Sequence, residues 1–179
     1  MDGKLIVSSS PHISSPVKTK NIMLDVIIAL IPSLVASIYF FGPRAAVITI
    51  VSVATCVIAE YVCRKVMKRE QTIGDLSAVV TGILLAFNLP SSVPVYVPII
   101  GGLVAIVMVK QMFGGLGQNF VNPALLARII LMNSFPVLMT TWYPAGGFGA
   151  DTTATASPLA NIATGQLDAL PSYMDMFLG

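Results

Sequence analysis

Long apolar runs separated by short polar breaks make up most of the chain. They predict transmembrane helices, since about 20 apolar residues are needed to cross a bilayer. One run is shorter and ends in Asn88-Leu-Pro90, which predicts a short, broken helix because proline disfavours a helical residue before it. The predicted spans cover residues 21–41, 45–63, 76–89, 93–109 and 123–139.

Polar segments flank these spans. Residues 1–20 form a polar leader, and residues 141–172 form a loop rich in Pro, Gly and Thr. Residues 173–179 begin a further apolar run, so we expect the sequence to be one part of a larger membrane fold. The pattern predicts an all-α polytopic membrane protein whose membrane domain, residues 21–140, lies in the lipid bilayer.

Basic residues are distributed unevenly along the chain. Four of the ten lie in residues 64–69, and none follows Arg128. Because basic residues are retained on the cytoplasmic side, we predict that the N-terminus, loop 64–75 and the loop after Lys110 are cytoplasmic. Loop 141–172 is then predicted to be extracytoplasmic, in a multi-pass protein of the cell (inner) membrane.

The composition, 55% hydrophobic and 10% charged, excludes an ordinary soluble domain. No basic run is interleaved with aromatic residues, so nucleic acid is not an expected partner. Cys56 and Cys63 form no CxxC pair and are interpreted as packing residues. His12 stands alone in the leader, and we predict neither a metal site nor a catalytic residue.

A polar, glycine-rich stretch lies between two apolar runs, at residues 114–128. It begins Gly-Gly-Leu-Gly-Gln-Asn-Phe-Val-Asn-Pro and includes Gly117, Asn119 and Asn122. Irregular backbone at a membrane span is tolerated where it is buried in protein or lines a cavity, which favours a small-molecule or cofactor site. The alternative is that the asparagines only cap the helix that starts at Pro123.

Two carboxylates lie near the boundaries of predicted spans, Asp25 in the first and Glu60 in the second. A carboxylate that faces the interior of a helical bundle is a candidate for an ion pathway. The alternative is that each one snorkels to the membrane surface or caps a helix.

Taken together, these segments resemble the RnfD family, the D subunits of the Rnf complexes, which are ion-translocating ferredoxin:NAD oxidoreductases. That family is related to the B subunit of the sodium-pumping NADH:quinone oxidoreductase. Residues 114–128 carry the most specific match, and residues 76–90 and 151–159 also resemble family segments. The resemblance implies a urea-transporter-like fold of two inverted five-helix repeats, of which this sequence would supply the first.

The resemblance also implies a covalent flavin. In the family, the phosphate of FMN is esterified to a hydroxyl in a motif that corresponds here to Asp-Thr-Thr-Ala-Thr-Ala-Ser-Pro-Leu, residues 151–159. Counting from Asp151 gives Ser157, which follows Ala156, as the acceptor, and Thr155 is the alternative. Without the resemblance, the same loop is interpreted as a flexible polar connector.

A second flavin, non-covalent riboflavin, is implied at Asn119 and Asn122. The family passes electrons through flavins between ferredoxin and NAD and couples this transfer to Na⁺ or H⁺ translocation. The implied partners are membrane and peripheral subunits that carry iron–sulfur centres and further flavins. The alternative, from a different class, is half of a urea-type solute channel or transporter without a redox role.

Overall fold

The computed structural model describes residues 18–142 together with Met174. Two long helices form a hairpin, α1 over Thr19–Phe41 and α2 over Pro43–Val66. Gly42 joins them with a φ of 80°, a backbone conformation that glycine adopts without a steric penalty. Pro43 occupies the first turn of α2, where the missing N–H has no intrahelical partner to lose.

A short helix, α3 over Ser77–Phe87, packs against α2. A 3₁₀ turn over Ile73–Asp75 leads into it, and Asp75 Oδ1 accepts hydrogen bonds from the backbone N–H of Ser77 at 2.8 Å and from its hydroxyl at 2.6 Å. The helix ends at Phe87 with Asn88 as its C-cap, in line with the break predicted at Asn88-Leu-Pro90. Its 11 residues rise about 16 Å, about half the thickness of a bilayer core.

The fourth predicted span consists of two kinds of helix. α4 covers Tyr96–Leu103 and continues directly as a π-helix over Val104–Gln111, the π segment. Gly102 allows α4 to approach α2 closely, since a Cβ at this position would lie 3.0 Å from Cγ2 of Thr55. Small residues serve the same purpose in many membrane helix interfaces.

The prediction of one continuous helix over residues 123–139 is wrong. This segment forms α5 over Pro123–Ser134 and α6 over Pro136–Thr140. Phe135 lies between them with φ −132° and ψ 59°. The break occurs here because the ring of a proline disfavours helical backbone at the preceding residue.

Buried apolar side chains pack the helices from α2 through α5 into one bundle. α1, in contrast, has no buried residue and leaves its apolar surface exposed, as expected for a helix that faces lipid. The main core cluster consists of Ile48, Leu85, Ala86, Leu89, Val93, Val97, Ala105, Ala124, Ala127, Leu131 and Met139. A second cluster consists of Cys56, Ala59, Ala78 and Ile106.

The bundle has two distinguishable ends. At the first, the Arg44 end, Arg44 donates to the carbonyls of Ser92 and Val93 at 3.1 and 3.2 Å, and the Ser92 hydroxyl donates to the carbonyl of Thr141. At the other, the Glu60 end, the last turns of α2 meet the start of α3 and the end of the π segment. The start of α1 lies at the Glu60 end as well, because α1 contacts the 3₁₀ turn there.

Within the described residues, α1 and α2 are long and apolar enough to cross a membrane. The other apolar helices are shorter: Ser77–Phe87, Tyr96–Gln111 and Pro123–Ser134. Residues 18–142 contain helices and no strand, in agreement with the predicted all-α membrane protein. The urea-transporter-like repeat and the number of crossings stay predictions.

Candidate functional site

A buried ion pair lies at the Glu60 end. Lys110 Nζ is 2.9 Å from Glu60 Oε1, and the two side chains are only 2% and 0% exposed. Glu60 lies in α2, six residues before the helix ends at Val66, about 9 Å along the axis. Removing two charges from water is expensive, and a buried pair persists where further hydrogen bonds support it. The surrounding polar groups provide these hydrogen bonds.

Several polar groups converge on the same carboxylate oxygen. Besides Lys110, Glu60 Oε1 accepts hydrogen bonds from Gln111 Nε2 at 2.9 Å and from the Thr72 hydroxyl at 3.1 Å. Lys110 also donates to Ser77 Oγ at 2.5 Å, and that hydroxyl donates to Asp75. The ammonium group is therefore held between the carboxylate of Glu60 and, through one hydroxyl, the carboxylate of Asp75.

The π segment brings two consecutive residues to one carboxylate. Lys110 and Gln111 are both buried, at 2% and 1% exposure, and both bind Glu60 Oε1. In an α-helix, consecutive side chains point about 100° apart. The wider turn of a π-helix reduces that angle, and π-helical turns are frequent at functional sites.

Arg64 connects this site to the glycine-rich stretch. Its Nη1 donates to the carbonyl of Glu70 at 2.9 Å. Its Nη2 lies so close to Gly115 that a Cβ there would be 2.7 Å away, and Gly115 has a φ of +108°. Both the contact and the backbone conformation favour glycine at this position.

Three atoms at the Glu60 end are buried without a hydrogen-bond partner among the residues that the structure describes. They are the acceptors Glu60 Oε2 and Gln111 Oε1 and the donor Arg64 Nε. Buried polar atoms are nearly always paired, so such an atom calls for an explanation in terms of a ligand, an ion or water.

The two asparagines of the glycine-rich stretch make local hydrogen bonds. Asn122 caps α5, since its Oδ1 accepts from the backbone N–H of Ala124 at 2.9 Å and of Leu125 at 3.4 Å. Asn119 Nδ2 donates to the carbonyl of Val121 at 2.8 Å. The capping role proposed as the alternative for Asn122 is thus confirmed, while its role as a flavin ligand stays a prediction.

A separate cavity lies toward the Arg44 end, between α1, α2 and α3. Its volume is about 220 Å³, and its wall combines apolar side chains with the hydroxyls of Ser33, Ser37, Thr49 and Ser91. Trp142, the last of the continuously described residues, also lines it.

Comparison with known proteins identifies the family. Residues 6–179 match the NQR2, RnfD, RnfE family. The chain belongs to this family. The site residues Glu60, Lys110 and Gln111 all lie within the matched region.

Several curated family members are similar over most of this chain. The D subunit of the Na⁺-translocating ferredoxin:NAD⁺ oxidoreductase complex of Acetobacterium woodii is 47% identical over 177 residues, 98% of this chain and 54% of the relative. The D subunit of the proton-translocating ferredoxin:NAD⁺ oxidoreductase complex of Clostridium ljungdahlii is 42% identical, covering 86% of this chain and 46% of the relative. The D subunit of the ion-translocating oxidoreductase complex of Shewanella amazonensis is 42% identical, covering 92% and 44%. The chain spans about half the length of the curated relatives that it matches.

The structure separates the two carboxylates predicted for an ion pathway. Glu60 is fully buried in the network, whereas Asp25 is exposed on α1. Gly117 lies in an open turn with a φ of +84°, and a Cβ added there would meet no atom within 4 Å. The predicted flavin-attachment residues, Asp151, Thr155, Ala156 and Ser157, and the leader with His12 lie outside the described residues.

Sequence reasoning missed Lys110, Gln111 and Ser77 as site residues. Lys110 and Gln111 directly follow a predicted span, where a basic residue is ordinarily a surface anchor. The available signal was that a Lys-Gln pair continues an apolar run with no intervening turn residue. That signal does not reveal which face of the helix the pair occupies.

Proposed function

We propose that this chain is a membrane subunit of an ion-translocating ferredoxin:NAD oxidoreductase complex. The support is family membership over residues 6–179, together with relatives whose names describe such complexes. Partner subunits would carry the nicotinamide site, the iron–sulfur centres and further flavins. The cell membrane would hold the chain, with the Glu60 end facing the cytoplasm.

The buried pair of Glu60 and Lys110 is the structural observation that best supports ion coupling. Intramembrane ionisable residues are rare, face bundle interiors and mark ion pathways. In this chain Glu60 lies in a helix long enough to cross the membrane, and Lys110 lies at the end of the shorter helix over Tyr96–Gln111. Two buried oxygens without a described partner, Glu60 Oε2 and Gln111 Oε1, belong to the same site. We assign Glu60 to the ion pathway, while Asp25 stays a sequence prediction.

The redox role rests on a covalent FMN at Ser157, with Thr155 as the alternative acceptor. Bound FMN would supply the one- and two-electron chemistry, and the protein would supply position, polarity and exclusion of solvent. Asp151 and Ala156 belong to the same motif. On this proposal, loop 141–172 faces the outside and continues from Thr141 at the Arg44 end.

A non-covalent riboflavin near the glycine-rich stretch is the finer part of the proposal. The residues fit a flavin ring edge, which offers alternating donors and acceptors. The cap on α5 uses only the Oδ1 of Asn122, and Gly117 leaves open space beside its backbone. Asn119 and Asn122 would hold the ring through their amide groups.

Peptide mass spectrometry of the full-length protein, purified from a host with a flavin transferase, tests the covalent site. We expect FMN mass on Ser157 and a fluorescent band in a denaturing gel that Ser157→Ala removes. Thr153→Ala, in the same segment, is the matched control and should keep the band. Flavin on Thr155 would correct the acceptor, and a non-fluorescent protein would favour the solute-channel alternative.

A further inference from the structure

Arg64 is a buried cation at the Glu60 end, with only 8% of its surface exposed. Among residues 18–142, a distance of 4.0 Å or less joins Lys110 to Glu60, but no described carboxylate comes that close to Arg64. Arginine stays charged in proteins, and a buried charge is costly unless it is paired. The described residues therefore leave the Arg64 guanidinium without a counter-ion.

The guanidinium group of Arg64 has one edge without a described acceptor. Nη1 donates to the carbonyl of Glu70 at 2.9 Å. Nε is buried and donates to no described atom, and Nη2 lies against the backbone of Gly115. Nε and Nη2 form one side of the planar fork, whose parallel N–H donors match two oxygens of one phosphate or carboxylate group. An oxyanion would therefore satisfy both the bare Nε and the charge.

Further positive charge lies near Arg64. Residues 64–70 contain four basic side chains and one acidic side chain. The chain folds back after α2, since the backbone N–H of Arg69 donates to the Arg64 carbonyl at 3.0 Å. Nη1 of Arg69 also donates to the Gln111 carbonyl at 3.4 Å, and Lys65 and Lys68 are exposed. A surface with an excess of one charge raises the local concentration of opposite ions, so this end attracts anions.

The level of Arg64 in the membrane favours one kind of anion. α2 has 24 residues and is about 36 Å long, longer than the roughly 30 Å hydrocarbon core of a bilayer. Arg64 lies in its last turn, which reaches the lipid headgroups on the proposed membrane placement. Val66, Met67 and Phe113 are exposed apolar side chains at the same end, as expected where a protein meets the boundary of headgroups and acyl chains. Basic pockets between membrane helices on the cytoplasmic side bind anionic headgroups.

We propose that Arg64 binds the phosphate of an anionic phospholipid. Nε and Nη2 donate to two phosphate oxygens where the last turn of α2 faces Gly115, while Lys68 and Arg69 attract the headgroup from further away. The phosphate supplies the counter-charge that the described residues lack. This inference goes beyond the redox and ion-translocating function and rests only on the proposed membrane location.

Binding of tritiated phosphatidylglycerol to the full-length protein in neutral detergent, measured by scintillation proximity, tests the site. The ionic strength is set to about 1 M, where the Debye length is about 3 Å and attraction to exposed charges is screened. Arg64→Gln should weaken binding roughly tenfold or more, because one hydrogen bond to a charged group is worth a factor of about ten. Lys65→Gln, which removes a neighbouring exposed cation, is the matched control and should bind as wild type.

Competition on the wild-type protein identifies the source of the phosphate. Unlabelled phosphatidylglycerol should displace the label, whereas phosphatidylcholine and inorganic phosphate at the same concentration should not. Equal displacement by either competitor would overturn the assignment to an anionic lipid. Wild-type affinity in a folded Arg64→Gln variant would overturn it as well.

If Arg64→Gln does not fold, Arg64→Lys decides. Lysine keeps the charge but replaces the planar fork with a point charge, so weaker binding supports the site and unchanged affinity refutes it. In-gel flavin fluorescence of the same samples reports on the proposed redox function separately. A fluorescent wild-type protein that does not bind phosphatidylglycerol specifically would contradict only the lipid site, and a carboxylate elsewhere in the complex would then be the partner of Arg64.

Discussion

Individual residues at the α2–α3 contact show how closely these helices approach. A Cβ built on Gly82 would lie 2.6 Å from the Cα and 3.0 Å from the backbone nitrogen of Val53. The Ser52 hydroxyl donates to the carbonyl of Gly82 at 2.9 Å across the same contact. Gly82 is thus required by the neighbouring backbone, which cannot move aside as a side chain can.

We predict that Gly82→Ala destabilises the protein by about 1–3 kcal/mol, the usual range for a group forced into a filled interior. The two helices must separate to admit the methyl group. This separation also weakens the hydrogen bond from the Ser52 hydroxyl to the carbonyl of residue 82. The midpoint of thermal unfolding of the purified protein measures the effect. Gly74→Ala is the control, because no atom lies within 4 Å of its Cβ position. Equal midpoints for both variants would show that α2 and α3 are not in this contact.

At the scale of elements, helix ends and breaks follow local chemistry, whereas the π segment does not. Gly42 ends α1 through its positive φ, and Pro136 breaks the helix before it through its ring. Asn122 begins α5 through its side-chain cap. Nothing in the composition of Val104–Gln111, which is mostly apolar, marks it as π-helical. Its geometry accompanies the burial of both Lys110 and Gln111 against α2.

The cap of α5 separates structure from ligand binding. Asn122→Ala should lower stability by about 1 kcal/mol, the typical loss for a removed cap, while Asn122→Ser should retain most of it because serine also caps. If Asn122 holds riboflavin, Asn122→Ser should lose acid-extractable flavin and keep the unfolding midpoint and the covalent band. Normal extractable flavin in Asn122→Ser and in Asn119→Leu would leave both residues with structural roles only, the cap of α5 for Asn122 and the hydrogen bond to the Val121 carbonyl for Asn119.

At the scale of the molecule, the basic residues that the structure describes are distributed unevenly between the two ends. Arg44 lies at the Arg44 end, and Arg128 donates to Asn88 Oδ1 from within α5. The Glu60 end carries a larger group, made up of Lys18, Lys20, Arg64, Lys65, Lys68, Arg69 and Lys110. Since the loops that retain basic residues are cytoplasmic, this asymmetry predicts that the Glu60 end faces the cytoplasm.

A membrane-impermeant maleimide applied to intact cells tests that orientation. Single cysteines are placed at Lys68 and Phe120, exposed near the Glu60 end, and at Val95, exposed near the Arg44 end. All variants also carry Cys63→Ala. The maleimide should label Val95→Cys and Thr152→Cys from outside. Lys68→Cys and Phe120→Cys should label only after permeabilisation. Labelling of Lys68→Cys in intact cells would invert the topology and remove the argument for an external flavin loop.

The sequence by itself determined where helices start and stop, because those positions depend on residues close along the chain. The run before Asn88, the start of α5 at Pro123 and the cap by Asn122 were all predicted from local patterns. The break at Phe135 was not predicted, because the apolar run continues through it, although Pro136 disfavours helical backbone at the preceding residue.

Only the tertiary structure decided which polar residues face inward. Asp25 lies near the start of α1 and Glu60 near the end of α2, each within about two turns of a helix end. Asp25 is nevertheless exposed, whereas Glu60 is fully buried. Hydrophobic runs that are apolar on all faces contain no periodicity that distinguishes a lipid-facing side from a protein-facing side. Packing of α2 against α3 and the π segment made that choice, and it placed Lys110 and Gln111 beside a carboxylate about 50 residues away in sequence.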